Sequence, residues 1–536
     1  MAAPPSFLRP KTAGFHPNCR RLLHGTREFP GSVGYSSLSR GRRSMYCCSS
    51  AVKKKTENGA AAAAGVAQSE IPVRIVAVVG EGSVSPLKST PWYDVMLHTA
   101  RRLKWVDEGY EMVVYTDESC RAENAAAAME KLHQANILMV VAVTHQESIK
   151  WIHSNSQDVA NIVSFESSPA SLTSKFGGYL VQNKFVVGSI FSKLPLPWPK
   201  SKKLKEVASS VSEAWNRHNS DDIRLCFLII INAYIKPVPT LKKLRAKGFS
   251  TFKSMVRKCG PQIFNCLMDA NCRKALRCLN ECDPVDQASS YLCLASYESR
   301  RLEEFSLCVL QRHNCLELDA KIPEKPVVAP MVQFRGEELD HETAEDLLVG
   351  WLGRRGWSWR VVAGPNPAYG QFPCQHQLFY RGRARGSFWY EPVFQVRTLD
   401  GDLVWRRRKN RVMRGTKPGT FHFSALDNGV VSNEFWTIVD VSDDFSWGLF
   451  HFHGAARVAG QSYTGAVLVS PTGLYPDESQ RQRLTSALDR CSIKEWEMIN
   501  VDNCSCQNPP LGLPEGSRLH YKMKVESLEE DSLPSV

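Results

Sequence analysis

FWTIVDV at residues 435–441, WGLFHF at 447–452 and TGAVLVS at 464–470 are short runs rich in aromatic and branched side chains. Gly, Ser and Asp separate them, which is typical of antiparallel strands joined by turns. Similar runs precede them at residues 357–363, 375–380, 387–397, 403–408 and 421–424. Eight such strands are enough to close a barrel with room for one small ligand. The sequence therefore predicts an eight-stranded β-barrel, with a β-sandwich as the alternative, followed by a helix at 477–490.

The N-terminal half alternates between strand-like and helical stretches. The strand-like runs are residues 71–79, 112–115, 137–143 and 162–165. The helical stretches are residues 93–103, 122–134 and 146–153. This alternation predicts an open, mostly parallel α/β sheet in a domain over residues 70–250, whose role the sequence does not indicate.

The first strand ends in Gly80-Glu81-Gly82-Ser83, which has the spacing of a nucleotide-binding turn. Only two glycines stand at that spacing, no third follows, and the nearby Pro86 would obstruct the helix start that binds a pyrophosphate. A plain strand-to-helix turn is the favoured interpretation, with a dinucleotide site as the alternative.

The positive charge is concentrated at the N-terminus. The chain has a net charge of +13, but residues 1–55 hold eleven Lys and Arg against one acid, Glu28, which leaves only +3 for the rest. A basic, Ser-containing, acid-poor start predicts a transit peptide and linker over residues 1–69, with a disordered basic arm as the alternative. We expect no nucleic-acid partner, and no run reaches the roughly 20 apolar residues of a membrane span.

Eight cysteines fall in one short segment, which is typical of a disulfide-stapled unit in an oxidising compartment. They are Cys259, Cys266, Cys272, Cys278, Cys282, Cys293, Cys308 and Cys315. Spacings of seven and four residues place pairs of them on shared helix faces. The sequence predicts a small disulfide-rich helical domain over residues 257–320. Zinc is the alternative to disulfides, but the other spacings are long for a ligand set, and we expect no metal.

Residues 257–510 resemble the violaxanthin de-epoxidase family. The resemblance rests on the cysteine order and on three motifs: Asn366-Pro367 leading to Phe372-Pro373-Cys374-Gln375, Arg397-Thr398-Leu399-Asp400, and Gly465-Ala466-Val467. It implies a lipocalin-like barrel over residues 345–495, followed by a tail over 496–536. It also implies a chloroplast oxidoreductase of the thylakoid lumen that opens a xanthophyll epoxide reductively. Ascorbate would be the reducing co-substrate, without a tightly bound cofactor, and peripheral contact with the thylakoid membrane would be possible.

The same resemblance implies the site residues. Opening an epoxide requires protonation of a poor leaving oxygen, which suits a carboxylic acid whose pKa is raised by an apolar wall. The matching position is Asp400, although Asp400-Gly401 also has the sequence of a type I′ hairpin turn. Gln375 would hold the substrate oxygen or the reductant, unless it faces outward. Trp359 and Trp436 are expected to bind substrate, a role compatible with barrel core.

Several alternatives stay open. Cys374 makes nine cysteines, so one thiol is left over or pairs with Cys491, Cys504 or Cys506. His451 and His453 alternate on one strand and could bind a metal, but no third ligand is evident nearby. The function itself has a rival, a non-catalytic lipocalin-like protein that binds a carotenoid or another apolar ligand, or regulates a related enzyme. The sequence does not indicate the oligomeric state.

Overall fold

The structure, a computed structural model of the whole chain, describes most of the sequence between residues 72 and 519. The described ranges are 72–120, 125–167, 181–182, 199–241, 248–282, 286–350, 359–384, 386–504 and 506–519. The predicted transit peptide and linker, residues 1–69, and the last part of the predicted tail lie outside them. All described residues belong to one compact unit, residues 71–526. None of the helices in these ranges combines the length and the apolar character that a membrane span requires.

A five-stranded sheet forms the N-terminal part. Its strands are β1 (Val73–Val79), β2 (Tyr110–Thr116), β3 (Ile137–Val141), β4 (Asn161–Phe165) and β5 (Val181–Gln182). Their order is β2-β1-β3-β4-β5, and only β5 is antiparallel to its neighbour. The connecting helices are α1 (Trp92–Val106), α2 (Ala125–His133) and α3 (Gln146–Asn155). The predicted α/β sheet is confirmed, and burial explains the apolar sequence of β3 and of β1 after its exposed Arg74.

The turn after β1 is a point of close packing. A Cβ atom on Gly80 would lie 2.0 Å from the carbonyl oxygen of Ala142, so the turn requires a glycine there. The chain continues past this turn to Pro91 before α1 begins at Trp92. Gly80-Glu81-Gly82-Ser83 therefore does not open a helix, which agrees with its interpretation as a plain turn.

Two further helices, α4 (Pro199–Asn216) and α5 (Ser220–Tyr234), complete this part. Apolar side chains of α5, among them Phe227 and Ile231, share one buried cluster with the side chains of β1 and α1. The strongly apolar sequence of α5 is therefore that of a core helix.

The cysteine-rich segment is a group of four short helices joined by disulfides. They are α6 (Gly248–Met268), α7 (Ala270–Glu281), α8 (Gln287–Ser296) and α9 (Arg300–Ser306), the last continuing as a π-helical turn to Arg312. The disulfides are Cys259–Cys308, Cys266–Cys272 and Cys278–Cys293. Because this segment buries few apolar side chains, its disulfides carry much of its stability.

The predicted set of bonded cysteines differs from the structure at two positions. Cys282 Sγ lies 3.4 Å from Cys293 Sγ, but Cys293 is already bonded to Cys278. Cys315 is a buried thiol beside the Cys259–Cys308 bond. Cys374, whose partner the sequence left open, is bonded to Cys506.

Eight antiparallel strands close into a barrel. They are β8 (Trp359–Gly364), β9 (His376–Arg381), β10 (Phe388–Arg397), β12 (Asn410–Arg414), β13 (Thr420–Asp427), β14 (Val430–Val441), β15 (Gly448–Ala456) and β16 (Gln461–Ser470). The ring closes because β8 pairs with both β9 and β16. Short strands flank the barrel sequence: β6 (Gln333–Phe334) pairs with β7 (Glu337–Glu338), and β17 (Ile499–Asn500) extends the sheet beside β8.

The predicted barrel is confirmed, but one of its eight strands differs from the predicted one. The predicted run at 403–408 forms β11 (Leu403–Arg407), which pairs only with the outer end of β10. The eighth place in the ring belongs to β12, which pairs with β10 and β13. Its sequence, NRVMR, shows one clearly apolar inward residue, Val412, so its pattern is weak.

Helices close one end of the barrel and cover its outer wall. α10 (His341–Val349) packs Leu347 and Leu348 into the interior cluster, and Trp359 Nε1 donates to the carbonyl oxygen of Leu347 at 3.2 Å. Arg381 pairs there with the buried carboxylates of Glu345 and Asp346. On the outside lies the predicted C-terminal helix, α12 (Arg481–Arg490), which follows the short α11 (Ala368–Gln371) in chain order.

The segment that follows the barrel packs against the N-terminal sheet domain. Glu497 is buried, with its carboxylate 2.9 Å from His98 Nε2 and 2.8 Å from Arg102 Nη2, both on α1. Trp496 adjoins the core of the α/β domain, and Lys88 Nζ donates to the carbonyl oxygen of Met498 at 2.6 Å. Buried polar contacts of Glu497 thus hold the two halves of the chain together, in addition to the covalent connection between them.

We expect the Cys374–Cys506 bond to stabilise the barrel, because it joins the start of β9 to the segment after β17 across 132 residues. Cys506→Ser should lower the free energy of unfolding by about 2–5 kcal/mol. Denaturant unfolding measures this, with Cys504→Ser as the control that leaves the bond intact. Equal stability of the two variants would contradict the prediction.

Candidate functional site

The predicted acid, Asp400, lies outside the barrel. It is in the loop between β10 and β11, where Gly401 has a φ of +98°, and its side chain is 47% exposed. Lys274 Nζ of α7 lies 2.7 Å from its carboxylate, and the hydroxyl of Tyr297 donates to it at 3.2 Å. The hydrogen bond from Lys274 lowers the pKa of Asp400. The expected apolar environment and raised pKa are therefore wrong, and the hairpin alternative describes this position better.

The loop around Asp400 joins the barrel to the cysteine-rich helices. It is longer than a two-residue type I′ turn, since Arg397 pairs with Leu403 and Thr398 N donates to the carbonyl oxygen of Asp402. Besides the contacts of Asp400, the backbone N–H of Leu399 donates to Ser296 Oγ of α8. Asp400 thus holds α7 and α8 against the barrel.

The other predicted site residues are separated from one another. Gln375 Nε2 donates to the carbonyl oxygen of Phe372 at 2.8 Å, so it stabilises the loop before β9. Trp359 is fully buried at the end that α10 closes. Trp436 lies in the middle of the barrel interior, where its ring is 4.7 Å from that of Phe423. Only Trp436 contacts an acid inside the barrel.

That acid is Glu434, two residues before Trp436 on β14. Its carboxylate accepts a hydrogen bond from Trp436 Nε1 at 2.6 Å and another from the hydroxyl of Tyr463 at 2.7 Å. Glu434 faces the interior because alternate residues of β14 point inward, and Trp436 and Ile438 do the same. The site is therefore a carboxyl group with two donors on an aromatic wall.

Burial raises the pKa of Glu434, and the hydrogen bonds from Trp436 and Tyr463 oppose that shift without cancelling it. Burial also raises the pKa values of Tyr390 and Tyr463, and the nearby Glu434 carboxylate adds to both shifts. These tyrosines stay protonated at any physiological pH. The interior therefore holds a carboxyl group with a raised pKa beside hydroxyl groups that keep their protons, and a raised pKa favours a role as proton donor.

A glycine makes room for this acid. Gly454 on β15 is paired with Glu434 on one side and with Tyr463 on the other. A Cβ atom at Gly454 would lie 2.8 Å from Glu434 Cγ and 2.8 Å from Tyr463 Cε2. The missing side chain lets the carboxyl group and the hydroxyl meet across β15.

Aromatic rings fill the interior next to Glu434. Phe379 stacks on Tyr390 at 4.7 Å, and Trp436 stacks on Phe452 at 5.6 Å. The hydroxyl of Tyr390 donates to Gln377 Oε1, so a buried amide faces the interior beside these rings. The interior is mostly aromatic, with polar groups at a few points, a composition that ligand sites commonly have.

Helix α8 packs near the Glu434 end of the barrel. The ring of Tyr291 lies edge-on to Phe372 at 5.6 Å, and its hydroxyl donates to Asp427 at 3.3 Å. Arg408 connects Asp427 of the barrel to Glu298, which follows α8. Contacts of α8 with Phe372, Phe394 and the β10–β11 loop thus hold the cysteine-rich helices beside the site.

The sequence alone did not predict four of the site residues. They are Glu434, Tyr463, Gln377 and Tyr390. The signal for Glu434 was present, because the run that contains Trp436 has an acid two residues upstream, on the same strand face. The predicted run begins at residue 435 and therefore excludes Glu434. Gln377 likewise stands two residues after Gln375 in the same alternating pattern.

Two histidines of the barrel wall, His376 and His451, are buried. His451 is almost fully buried, with its Nε2 3.3 Å from Thr464 Oγ1, and its ring centre lies 5.8 Å from that of His453. Burial, followed by the neighbouring His453, lowers the pKa of His451 to about 3. Burial and Arg360 lower the pKa of His376 to about 4.

Two groups within the described residues bring three donor atoms within 4.8 Å of one another. They are Cys259, Cys308 and His313, and Cys278, Cys282 and Cys293. Each group includes both sulfur atoms of a disulfide, and a disulfide offers no thiolate to a metal.

The closed barrel, with α12 on its outer wall, defines a lipocalin-type domain. Residues 251–503 match the family described as the VDE lipocalin domain. The chain is 22% identical over 299 residues to "Violaxanthin de-epoxidase, chloroplastic" from Spinacia oleracea, across 53% of this chain and 58% of that protein. It thus spans little more than half the length of the curated relative it matches. Residues 251–503 of the chain are therefore related to the violaxanthin de-epoxidase family.

Several solved structures are similar to part of this chain. The siderocalin Ex-FABP matches 27% of this chain and 93% of its own, with 10% identity and a TM-score of 0.21. An odorant binding protein matches 30% and 93%, with 14% identity and a TM-score of 0.21. A bovine lipocalin allergen matches 29% and 93%, with 5% identity and a TM-score of 0.21. The strand pairings, and not these scores, establish the fold.

We expect Glu434 to titrate above the ordinary range of a glutamate, because burial favours its neutral form. A carbon-13 NMR titration of protein labelled at the glutamate carboxyl groups measures this. The high-pKa resonance should vanish in Glu434→Gln and persist in Glu337→Gln, which alters an exposed glutamate. A spectrum of Glu434→Gln that keeps every high-pKa resonance would count against the assignment.

We expect the free energy of unfolding to fall as pH drops below about 6.5, because the unfolded chain takes up protons that buried His451 does not accept. The folded pKa lies below the unfolded one, so stability is lost on acidification, at up to about 1.4 kcal/mol per pH unit for one such group. Urea unfolding at about pH 7 and about pH 5 measures the slope. His451→Gln should flatten it and His145→Gln, on the surface, should not; equal slopes for all three proteins would refute this.

Proposed function

We propose that the barrel opens a xanthophyll epoxide reductively, with ascorbate as the electron donor. The observation that carries this proposal is Glu434, a half-buried carboxyl group with a raised pKa on an aromatic wall. Its support from comparison is the match to the VDE lipocalin domain and the relative named violaxanthin de-epoxidase.

The reaction balances as follows. Glu434 donates a proton to the epoxide oxygen as one C–O bond breaks, and ascorbate supplies two electrons. The second C–O bond then breaks, the two carbons form a double bond, and the oxygen leaves as water. Ascorbate, entering as ascorbic acid, becomes dehydroascorbate by losing two electrons and two protons. One of these protons completes the water molecule, and the other replaces the one taken from Glu434. General acid catalysis of this kind typically contributes about 10²- to 10⁴-fold in rate.

The remaining interior side chains have supporting roles in this proposal. Trp436 and Phe452 offer ring faces to a flat, apolar substrate. Tyr463 keeps its proton and orients the carboxyl group through a hydrogen bond. The Tyr390–Gln377 pair offers a polar contact to the substrate hydroxyl or to ascorbate.

A chloroplast location is part of the proposal. The relative is named as chloroplastic, and the basic segment over residues 1–55 has the composition of a transit peptide. The four disulfides favour an oxidising space such as the thylakoid lumen over a reducing stroma.

Ligand binding without turnover is the second candidate. The observation that favours it is the tight interior, where stacked rings such as Phe379 and Tyr390 occupy the space beside the acid. A ligand would have to displace these rings, and a carotenoid or other apolar molecule held this way need not react.

The test is turnover by the refolded full chain. Violaxanthin dispersed in galactolipid is incubated with ascorbate at about pH 5 and about pH 7, and the pigments are separated by chromatography. We expect de-epoxidised product, faster at the lower pH because Glu434 must be protonated, and a loss of about 10²- to 10⁴-fold in Glu434→Gln. The catalytic role of Asp400 stays a prediction that Asp400→Asn tests in the same assay.

The outcomes separate the candidates. Product that disappears with Glu434→Gln but persists with Asp400→Asn supports the buried acid. Product that disappears only with Asp400→Asn refutes the role of Glu434. Pigment binding that quenches tryptophan fluorescence, without product at either pH, supports a binding protein and contradicts the proposed enzymatic activity.

A further inference from the structure

Three sulfur atoms meet where α7 and α8 are joined. The Cys278–Cys293 disulfide connects the two helices, and Cys282 stands at the end of α7 as a thiol. The three Sγ atoms lie within 4.8 Å of one another, and Cys282 Sγ is 3.4 Å from Cys293 Sγ. A thiol in contact with a disulfide sulfur is the arrangement from which thiol–disulfide exchange starts.

Helix geometry explains why two cysteines reach the same partner. Cys278 and Cys282 are four residues apart, so they lie on one face of α7, one turn from each other. The backbone N–H of Cys282 still donates to the carbonyl oxygen of Cys278 at 3.0 Å, which keeps this spacing to the end of the helix. Because the sulfur of Cys293 lies close to both, it can bond to either of them, one at a time.

Burial restricts which thiol attacks which sulfur. Cys293 is 1% exposed, so a thiol from solvent does not reach its sulfur. Cys278 and Cys282 are half-buried. The distance of 3.4 Å lies within the range of about 3–3.5 Å from which positioned groups react. Cys282 is therefore the nucleophile that is placed to attack Cys293.

We propose that Cys278, Cys282 and Cys293 form a thiol–disulfide exchange site. Cys282 gives its proton to solvent, and the resulting thiolate attacks Cys293 Sγ. The Cys282–Cys293 bond forms as the Cys278–Cys293 bond breaks, and Cys278 leaves as a thiolate that takes up a proton. The numbers of thiols and disulfides stay the same, so the step needs no oxidant and no reductant. Its result is that the thiol moves from Cys282 to Cys278.

The other group of three donor atoms in this segment lacks the same chemistry. There the disulfide is Cys259–Cys308, and the third donor is the ring of His313, which forms no disulfide. Cys315 shares a buried cluster with that bond, but among the described residues its sulfur belongs to no group of three donors within 4.8 Å. The geometry therefore places exchange between α7 and α8.

Exchange would change how α7 is attached to α8. A helix rises about 1.5 Å per residue, so moving the bond from Cys278 to Cys282 moves the attachment by about 6 Å along α7. Lys274, one turn before Cys278, pairs with Asp400, and Tyr297, which follows α8, donates to the same carboxylate. A shift of α7 relative to α8 would act on both contacts. The exchange site is therefore linked to the loop that holds the cysteine-rich helices on the barrel.

The inference goes beyond the proposed function and does not rest on it. The exchange involves no epoxide, no ascorbate and no side chain of the barrel interior. Its readout is the position of a thiol and not turnover, so its failure is distinguishable from failure of the proposed reaction.

The exchange is tested by mapping thiols in the native full chain. The protein is treated with excess iodoacetamide without reductant, acidified, and cleaved after Glu281, which separates Cys278 from Cys282 for mass spectrometry. We expect the wild type to carry label on Cys278 as well as on Cys282, because alkylation traps both disulfide isomers. In Cys282→Ser the labelling of Cys278 should fall by about tenfold or more, since the nucleophile that displaces it is gone.

Two further variants complete the experiment. Cys278→Ser should form the Cys282–Cys293 bond, so that neither of these cysteines is labelled. Cys315→Ser is the matched control, because it removes another thiol of the same segment and should leave the labelling of Cys278 unchanged.

Three outcomes would overturn the proposal. One is label on Cys282 but not on Cys278 in the wild type. Another is equal labelling of Cys278 in the wild type and in Cys282→Ser, because the bond to Cys293 would then open without Cys282. The third is label on both Cys282 and Cys293 in a Cys278→Ser protein that keeps the circular dichroism of the wild type. The first two comparisons use proteins that retain the Cys278–Cys293 pair, so they hold even where Cys278→Ser does not fold.

Discussion

Closure of the barrel by β8 is the constraint on which the rest of the structure depends. β8 pairs with β9 through Trp359 and Arg360, and with β16 on its other edge. These pairings satisfy the backbone donors and acceptors that an open sheet would expose. They also bring the aromatic side chains of the inner faces together in one cluster. Without that enclosure Glu434 would be an ordinary solvated glutamate, because burial is the main cause of its raised pKa.

The same closure explains which parts of the molecule the sequence could predict. Strand β13 alternates between a packed and a less packed face, and that alternation is visible in its residues. β12 was missed because Arg411, Met413 and Arg414 are outward or terminal, and only Val412 shows its inward face. The parallel strands were easier to predict, since both of their faces are covered.

The site was harder to predict than the fold, for a physical reason. The pKa of a carboxyl group depends on its surroundings, and the surroundings of Glu434 come from β14, β15 and β16. Asp400 matched a family motif, but a motif does not specify whether its loop lies inside or outside a barrel. In this chain the loop lies outside, where Lys274 neutralises Asp400 and makes it part of a structural contact.

The contact between Glu497 and α1 has a consequence for how the chain can be divided. The match to the known family ends at residue 503 and begins at residue 251, so it includes Glu497 but excludes His98 and Arg102. Cutting the chain at the family boundary would leave Glu497 without its counter-charges and Trp496 without its apolar cover. The α/β part is therefore a partner in folding for the C-terminal segment, and its retention beside the barrel needs no catalytic explanation.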